Sequence, residues 1–489
     1  MHQRSLALLT DLYQLTMAYG YWKLGRADLE AVFHLIFRDH PFRGGYTVAA
    51  GLGPVIEFLQ GLHFEPDDLE YLASLTGNDG RPLFEPGFLD FLGRFEFACD
   101  LDAVPEGTVV FPHEPLVRVT GPLWQCQILE TALLNQINFQ TLIATKAARV
   151  CLAAQHEPVL EFGLRRAQGI DGGVSASRAA FIGGCVGTSN VLAGKLYGIP
   201  VKGTHAHSWV MSFADELESF EAYARTMPNN CVFLVDTYDT LEGVRRAIEA
   251  GRRLREHGHE LAGIRLDSGD LAYLSIEARK LLDEAGFQQA AIVGSNDLDE
   301  HLIESLKVQK ARIGVWGVGT RLATAYDQPA LGGVYKLTAL RPPGGEWIYK
   351  IKVSEQTVKI STPGILQVRR FHGEGRFLAD MIYDVRLGVG SPPVIVDPVD
   401  LTRRKEIPPD APAEDLLVKV FERGRLVYQS PALPEIRQRT LNQLAALHPT
   451  IRRLANPHIY PAGLELGLHE MKTRMILEAR GIETSEQDS

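Results

Sequence analysis

Five short apolar runs in this sequence each end in side chains that bind or react. Val159-Leu160 runs into Glu161-Phe162-Gly163-Leu164-Arg165-Arg166, and Gly198-Ile199-Pro200-Val201 runs into Gly203-Thr204-His205-Ala206-His207-Ser208. Val232-Phe233-Leu234-Val235 ends at Asp236 and Asp239, Gly263-Ile264 at Arg265-Leu266-Asp267-Ser268-Gly269-Asp270, and Ile313-Gly314-Val315 at Gly317-Val318-Gly319-Thr320. If these runs are strands side by side, their tips gather guanidinium groups (Arg165, Arg166, Arg265), carboxylates (Asp236, Asp239, Asp267, Asp270), imidazoles (His205, His207) and glycine turns in one place.

Each group has an ordinary reading beside the chemical one. Arg165-Arg166 is a solvated surface pair or a fork for phosphate oxygens. The turns Gly183-Gly184-Cys185-Val186-Gly187-Thr188-Ser189 and Gly317-Val318-Gly319-Thr320 are tight connections or, with their backbone amides and hydroxyls, phosphate cradles. Together with the arginine pair they point to a polyphosphate ligand. Phe162 is a core aromatic or a flat face for an aromatic ring. Asp270 and Asp267 cap the following helix, or Asp267 holds magnesium or a ribose hydroxyl through hard carboxylate oxygens. His205 and His207, two apart on a strand, share a face and form a zinc pair of the kind a barrel hydrolase uses. Against zinc, the later tips offer no further histidine, and His257 and His259 lie in a polar stretch. Alternatively one of the two is a nucleophile that is transiently phosphorylated.

These tips need a scaffold of parallel strands. Helical stretches at Ser175 to Phe181, Asn190 to Tyr197, Leu241 to Arg255 and Leu271 to Ala285 alternate with the apolar runs. That alternation predicts an α/β barrel, with a doubly wound open sheet as the alternative. No GxGxxG is present, so a dinucleotide fold has little support. Before this region the sequence predicts a helix capped by Thr10, a strand over Ala31 to Arg38, short strands within 104–120 and a long helix from Gln125 to Gln155. After it, alternation in Ile348 to Val353 predicts a strand, and helices are expected at Glu435 to Leu447 and Gly463 to Ala479. The polar tail Glu483 to Gln487 is expected to fray.

Composition narrows the function classes. A chain of 489 residues exceeds one compact core. A net charge of -10 argues against nonspecific binding to nucleic acid or acidic membranes. The cysteines (99, 126, 151, 185, 231) are scattered and odd in number, with no CxxC, as free thiols in a reducing compartment would be. No signal peptide and no membrane-length apolar run is read, so the cytoplasm is expected.

Taken in order, these motifs resemble the nicotinate phosphoribosyltransferase family. The matching stretches are Leu9-Thr10-Asp11-Leu12-Tyr13-Gln14-Leu15-Thr16-Met17, Phe162-Gly163-Leu164-Arg165-Arg166-Ala167-Gln168-Gly169, Gly203 to Ser208, Arg265 to Asp270, Gly317 to Thr320, Lys352-Val353-Ser354, Thr362-Pro363-Gly364, and Asn456-Pro457-His458 with Tyr460. The resemblance implies a type II phosphoribosyltransferase fold, an irregular α/β barrel beside an α+β domain built from both chain ends. The implied boundaries are 1–122, 123–365 and 366–489. The implied activity is a ligase-type, ATP-coupled transfer of phosphoribosyl from phosphoribosyl pyrophosphate to nicotinate, giving nicotinate mononucleotide, with magnesium required and homodimers common. By resemblance His207 is the phosphorylated histidine, with Asp267 and Arg165 as its catalytic companions. Tyr13, Thr204 and Arg265 contact nicotinate, Tyr13 from a partner subunit, and Phe162 stacks on the ring. Arg166 and the turn Gly317, Gly319, Thr320 take phosphoribosyl pyrophosphate. His205 falls where the family varies and receives no role. The related nicotinamide-using enzyme carries an acidic residue at the place of Ser189, so the serine implies nicotinate. The competing functions are a nicotinamide or quinolinate transferase, a zinc-dependent barrel hydrolase and an inactive scaffold.

Overall fold

The computed structural model describes residues 5–356, 359–398, 400 and 402–482, so the expected fraying of Glu483 to Gln487 falls outside the described residues. The chain is a mixed α/β protein that divides into two compact units, 1–142 with 330–489, and 143–329.

In the first unit the two ends of the chain share their sheets. Glu30–Ile36 lies between Val334–Arg341 and Pro115–Pro122, all antiparallel, in a seven-stranded sheet that Val418–Glu422 joins through Asp100–Ala103. A six-stranded sheet follows from residues 366–465, with Ala462–Glu465 parallel to Arg376–Asp384 and antiparallel to Val394–Val396. Those two ladders hold Ala462–Glu465 as a strand, so the helix expected from Gly463 begins at Leu466. The first helix, Leu12–Lys23, is capped at Asp11 rather than Thr10. Asp11 makes no cap bond there, because its Oδ2 accepts from Thr131 Oγ1 at 2.8 Å. The expected strand over Ile348 to Val353 shortens to Ile348–Tyr349, which pair with Leu340 and Ala339, and the last bond to that strand is from Lys350 N to Thr338 O at 2.8 Å. Arg370 and Asp380, both fully buried, pair across adjacent strands, and Tyr460 Oη donates to Asp380 Oδ1 at 2.9 Å.

Three histidines of this unit, His34 buried and His40 and His113 half-buried, are held neutral by desolvation. Burial pushes His40 down to about 3 and His113 to about 4, and His34 goes well below its ordinary value. His34 Nε2 accepts the backbone N–H of Leu366 at 3.2 Å, which a charged ring cannot do. A depressed folded-state pKa means the unfolded chain takes up protons first. Stability is therefore complete above the unfolded value near 6.5 and falls as the pH drops toward 4, by about 1.4 kcal/mol per pH unit for each such histidine. Urea titrations between pH 7.5 and 4.5 should show the midpoint falling steeply below pH 6.5; a flat profile would refute the account.

The second unit carries the predicted alternation. Its sheet has six parallel strands in the order Gly187–Thr188, Val159–Glu161, Val315–Val318, Ala291–Gly294, Gly263–Leu266, Val232–Leu234. The strands are short and mostly buried, hence their continuous apolar character. Thr240–Glu256 is an amphipathic example of the helices that pack on them, burying Val244, Ala247, Ile248, Gly251 and Leu254 on one face. The long helix expected at Gln125 to Gln155 is two helices, Leu123–Ile128 and Glu130–Ala153.

The expected barrel is not closed by strand pairing: among the described residues no ladder joins the sheet's two edges. The run at 198–201 supplies only an isolated parallel bridge, Val201 to Thr188. Pro200 has no N–H to extend a ladder, although its carbonyl accepts from Thr188 N at 3.0 Å and Lys202 N donates to Thr188 O at 2.9 Å. No helix among the described residues is long and apolar enough to cross a membrane.

Candidate active site

The carboxyl tips of the second unit's strands converge, and helix caps sort their carboxylates. Asp239 accepts from Glu242 N at 2.8 Å and Asp270 from Tyr273 N at 3.0 Å, so each caps the helix after its strand. Neither belongs to the site. Asp236 and Asp267, each three residues earlier, make no such cap and are joined to each other through the Asp267 backbone N–H. Asp236 Oδ2 accepts from Asp267 N at 2.9 Å and from Ser268 Oγ at 2.6 Å. Its other oxygen, Oδ1, is buried without a hydrogen-bond partner and lies 4.0 Å from His207 Nε2.

Arg265 is the organising cation. Its Nε donates to Ser295 Oγ at 2.9 Å, Nη1 to Thr204 Oγ1 at 3.3 Å and Nη2 to Asp267 Oδ1 at 2.8 Å. Ser295 Oγ also contacts Asp267 Oδ1. The guanidinium carbon sits 5.7 Å from the centroid of the Phe162 ring. That ring lies against the backbone of Gly317, where an added Cβ would come 2.8 Å from two ring carbons. Gly317 therefore leaves room for the ring, and Phe162 N donates to Val318 O at 2.8 Å, keeping the two tips in register. Thr320, half-buried, opens the short helix after Gly319.

Arg165 and Arg166 follow Phe162 in a 3-10 turn, Leu164–Arg166, and both are exposed. Ser189 is half-buried at the end of Gly187–Thr188, its N–H donating to Glu161 O at 3.0 Å. The first turn read as a phosphate cradle does not serve as one at Gly183-Gly184. Both glycines are buried where the helix Gly169–Ile182 ends, which in a strand–helix crossover is the end away from the tips.

The histidines correct another expectation. They do not share a strand face. His205 is 8% exposed in a loop, with both ring nitrogens engaged by backbone at Ala206 O and Leu234 N. His207 opens the helix His207–Met211, its side chain 40% exposed and its Nδ1 3.1 Å from Thr237 Oγ1. With His205 fully occupied, the pair is no zinc site. Tyr13 belongs to the first unit, on Leu12–Lys23, and is 49% exposed.

Sequence reading missed Glu161, Ser295 and Thr237 as organisers. Glu161 is buried, and its carboxylate accepts from Gly163 N, from Ser177 Oγ at 2.9 Å and from Thr188 Oγ1 at 2.6 Å. It thereby fixes two tips at once. The available signal was a lone carboxylate within the apolar run Val159-Leu160-Glu161-Phe162.

Comparison with known proteins agrees with this arrangement. Residues 8–138 match the nicotinate phosphoribosyltransferase N-terminal domain, 158–355 the nicotinate phosphoribosyltransferase family and 367–472 the C-terminal domain. The chain belongs to the nicotinate phosphoribosyltransferase family. It is 45% identical to the nicotinate phosphoribosyltransferase of Bacillus subtilis (strain 168), over 96% of this chain and 97% of that protein. It is 39% identical to the Dictyostelium discoideum nicotinate phosphoribosyltransferase, over 96% and 88% respectively. The crystal structure of human nicotinic acid phosphoribosyltransferase superposes with a TM-score of 0.82 at 33% identity, covering 95% of this chain and 99% of that one.

Proposed function

We propose that this chain transfers the phosphoribosyl group of phosphoribosyl pyrophosphate to nicotinate, yielding nicotinate mononucleotide and pyrophosphate, as an ATP-coupled enzyme of NAD biosynthesis. The observation that carries the reading is the stack of Phe162 on Gly317 with Arg265 across it and Arg165 and Arg166 beside it. A flat aromatic face and a cation suit a pyridine carboxylate, and exposed guanidinium groups suit a pyrophosphate. Three of the five N–H groups of Arg265 are engaged by Ser295, Thr204 and Asp267, which leaves two for a carboxylate.

In the reaction the pyridine nitrogen bonds to C1 of the sugar as the C1–O bond to pyrophosphate breaks, the electron pair leaving with pyrophosphate. The carbon passes through oxocarbenium character, so the protein contributes by positioning both reactants and stabilising the departing anion. Phe162, Thr204 and Arg265 hold the ring, Arg165 and Arg166 the pyrophosphate, and Gly317, Gly319 and Thr320 the ribose phosphate. Magnesium suits the carboxylates: Asp236 Oδ1 is buried without a hydrogen-bond partner, and the Asp267 backbone N–H donates to Asp236 Oδ2 at 2.9 Å, which keeps the two residues adjacent. Those two residues would hold the ion, which would neutralise charge on pyrophosphate. Thr237 orients His207 for transient phosphorylation by ATP. Tyr13 would reach the pyridine from the partner subunit of a homodimer. The second unit reads as the irregular barrel of this family, its ring completed by the segment 200–205. Five free cysteines suit the cytoplasm.

The test is product formation from nicotinate and phosphoribosyl pyrophosphate with ATP varied. Wild type should form nicotinate mononucleotide faster with ATP and carry ATP-derived phosphate. His207→Asn should lose the label while retaining some uncoupled transfer; a label that persists moves the role to another residue.

Ser189 sets the choice of ring. A carboxylate there would repel the nicotinate carboxylate, so Ser189→Asp should lower kcat/KM for nicotinate by about tenfold or more and narrow the gap to nicotinamide. Equal use of both substrates by wild type would defeat the assignment.

A further inference from the structure

The two edges of the parallel sheet lie on either side of a short segment, and one imidazole joins that segment to the second edge. At its start the segment pairs with Thr188 through Pro200 and Lys202, on the edge strand Gly187–Thr188. Three residues after Lys202, His205 Nε2 accepts the backbone N–H of Leu234 at 3.2 Å, on the opposite edge strand Val232–Leu234. Leu234 N–H faces the open side of that strand, because the next amide, Val235 N, points the other way and donates to Arg265 O at 3.2 Å. Without His205 this backbone donor would lose the acceptor it has, at a cost typical of a buried polar group.

The bonds fix the tautomer. A backbone N–H only donates, so Nε2 carries a lone pair. The carbonyl of Ala206 only accepts, so Nδ1, 3.3 Å away, carries the proton. The ring is enclosed by Tyr223, Phe220 and Phe233, with centroids 5.1, 6.1 and 6.4 Å distant. Its neutral state agrees with the direction in which burial moves it, below its ordinary value, with Arg265 and His207 adding to the shift.

The position of this bond gives it a purpose. Two residues beyond His205 stands His207, whose partners Asp236 and Thr237 stand two and three residues beyond Leu234. One residue before it stands Thr204, whose Oγ1 accepts from Arg265. We propose that His205 is a positioning residue, a side-chain latch that replaces the missing strand ladder and holds Thr204 and His207 against their partners on the neighbouring tips. The proposal rests on the transferase reading for the role of those partners, and on the geometry alone for the latch.

The experiment compares the full-length wild type with His205→Leu, which keeps bulk and removes the acceptor, and His205→Gln, whose Oε1 can accept in place of Nε2. Hydrogen exchange of the peptide spanning 232–237 and steady-state kinetics are measured on each. His205→Leu should exchange the Leu234 amide about tenfold faster and raise the KM for nicotinate about tenfold, with kcat changing less. His205→Gln should return both toward wild type. Wild-type exchange and kinetics in His205→Leu would overturn the latch, as would equal impairment of the two variants. Exchange needs no turnover, so a wild type that makes no nicotinate mononucleotide, yet shows faster exchange in His205→Leu alone, would sink the transferase reading and leave the latch standing.

Discussion

Replacing Arg265 by glutamine should lower kcat/KM for nicotinate by about 10²- to 10³-fold, a loss of about 3–4 kcal/mol of transition-state stabilisation. The side chain is 15% exposed and bonds three neighbours at once. Its removal takes away the cation facing the pyridine carboxylate and frees Thr204, Ser295 and Asp267 to rotate. Arg265→Lys keeps the charge but not the planar fork, and should recover only a small part of the activity. Steady-state kinetics with both substrates varied would decide it. A change of less than about threefold in Arg265→Gln would place the ring elsewhere.

Glu161→Ala should cost about 3–5 kcal/mol of stability and most of the activity. The carboxylate is the acceptor for Gly163 N, Ser177 Oγ and Thr188 Oγ1 inside the second unit. Alanine leaves those donors facing a cavity, although Ser177 Oγ keeps an alternative acceptor in Gly173 O at 3.0 Å. The Gly163 turn that carries Arg165 and Arg166 would then lose its anchor. Denaturant unfolding with a parallel activity assay reads both effects. A wild-type midpoint in Glu161→Ala would show that the carboxylate organises nothing.

Much of the scaffold was legible because its causes are local. Parallel strands buried on both faces are continuous apolar runs, and helices with one buried stripe repeat every three to four residues. That is why the runs at 232–235 and 263–266 and the helices Thr240–Glu256 and Leu271–Glu284 are legible in the sequence, whereas the run at 313–315 only reaches the start of the strand Val315–Val318. The family motifs were legible for a related reason, since each lies within a few consecutive residues.

Groups of the same type, however, divided between roles in ways that local pattern does not encode. Asp236 and Asp239 follow one strand and Asp267 and Asp270 another, yet the later member of each pair caps a helix and the earlier one faces the site. His205 and His207 are two residues apart, one sealed among aromatic rings and the other half exposed beside Asp236. Phe162 found its seat on Gly317 only because Val159–Glu161 lies beside Val315–Val318 in the sheet, a neighbour far along the chain. The amino-acid order by itself determined most of the second unit's strands and helices and which reactive side chains stand at their ends, because burial and capping act over a few residues, whereas the run at 198–201 and the strand Ala462–Glu465 took their form from partners elsewhere in the chain. The tertiary structure alone decided which ends meet and which side chains are left with a free face, because hydrogen bonds between them form only when separate strands are set side by side to within a few tenths of an ångström.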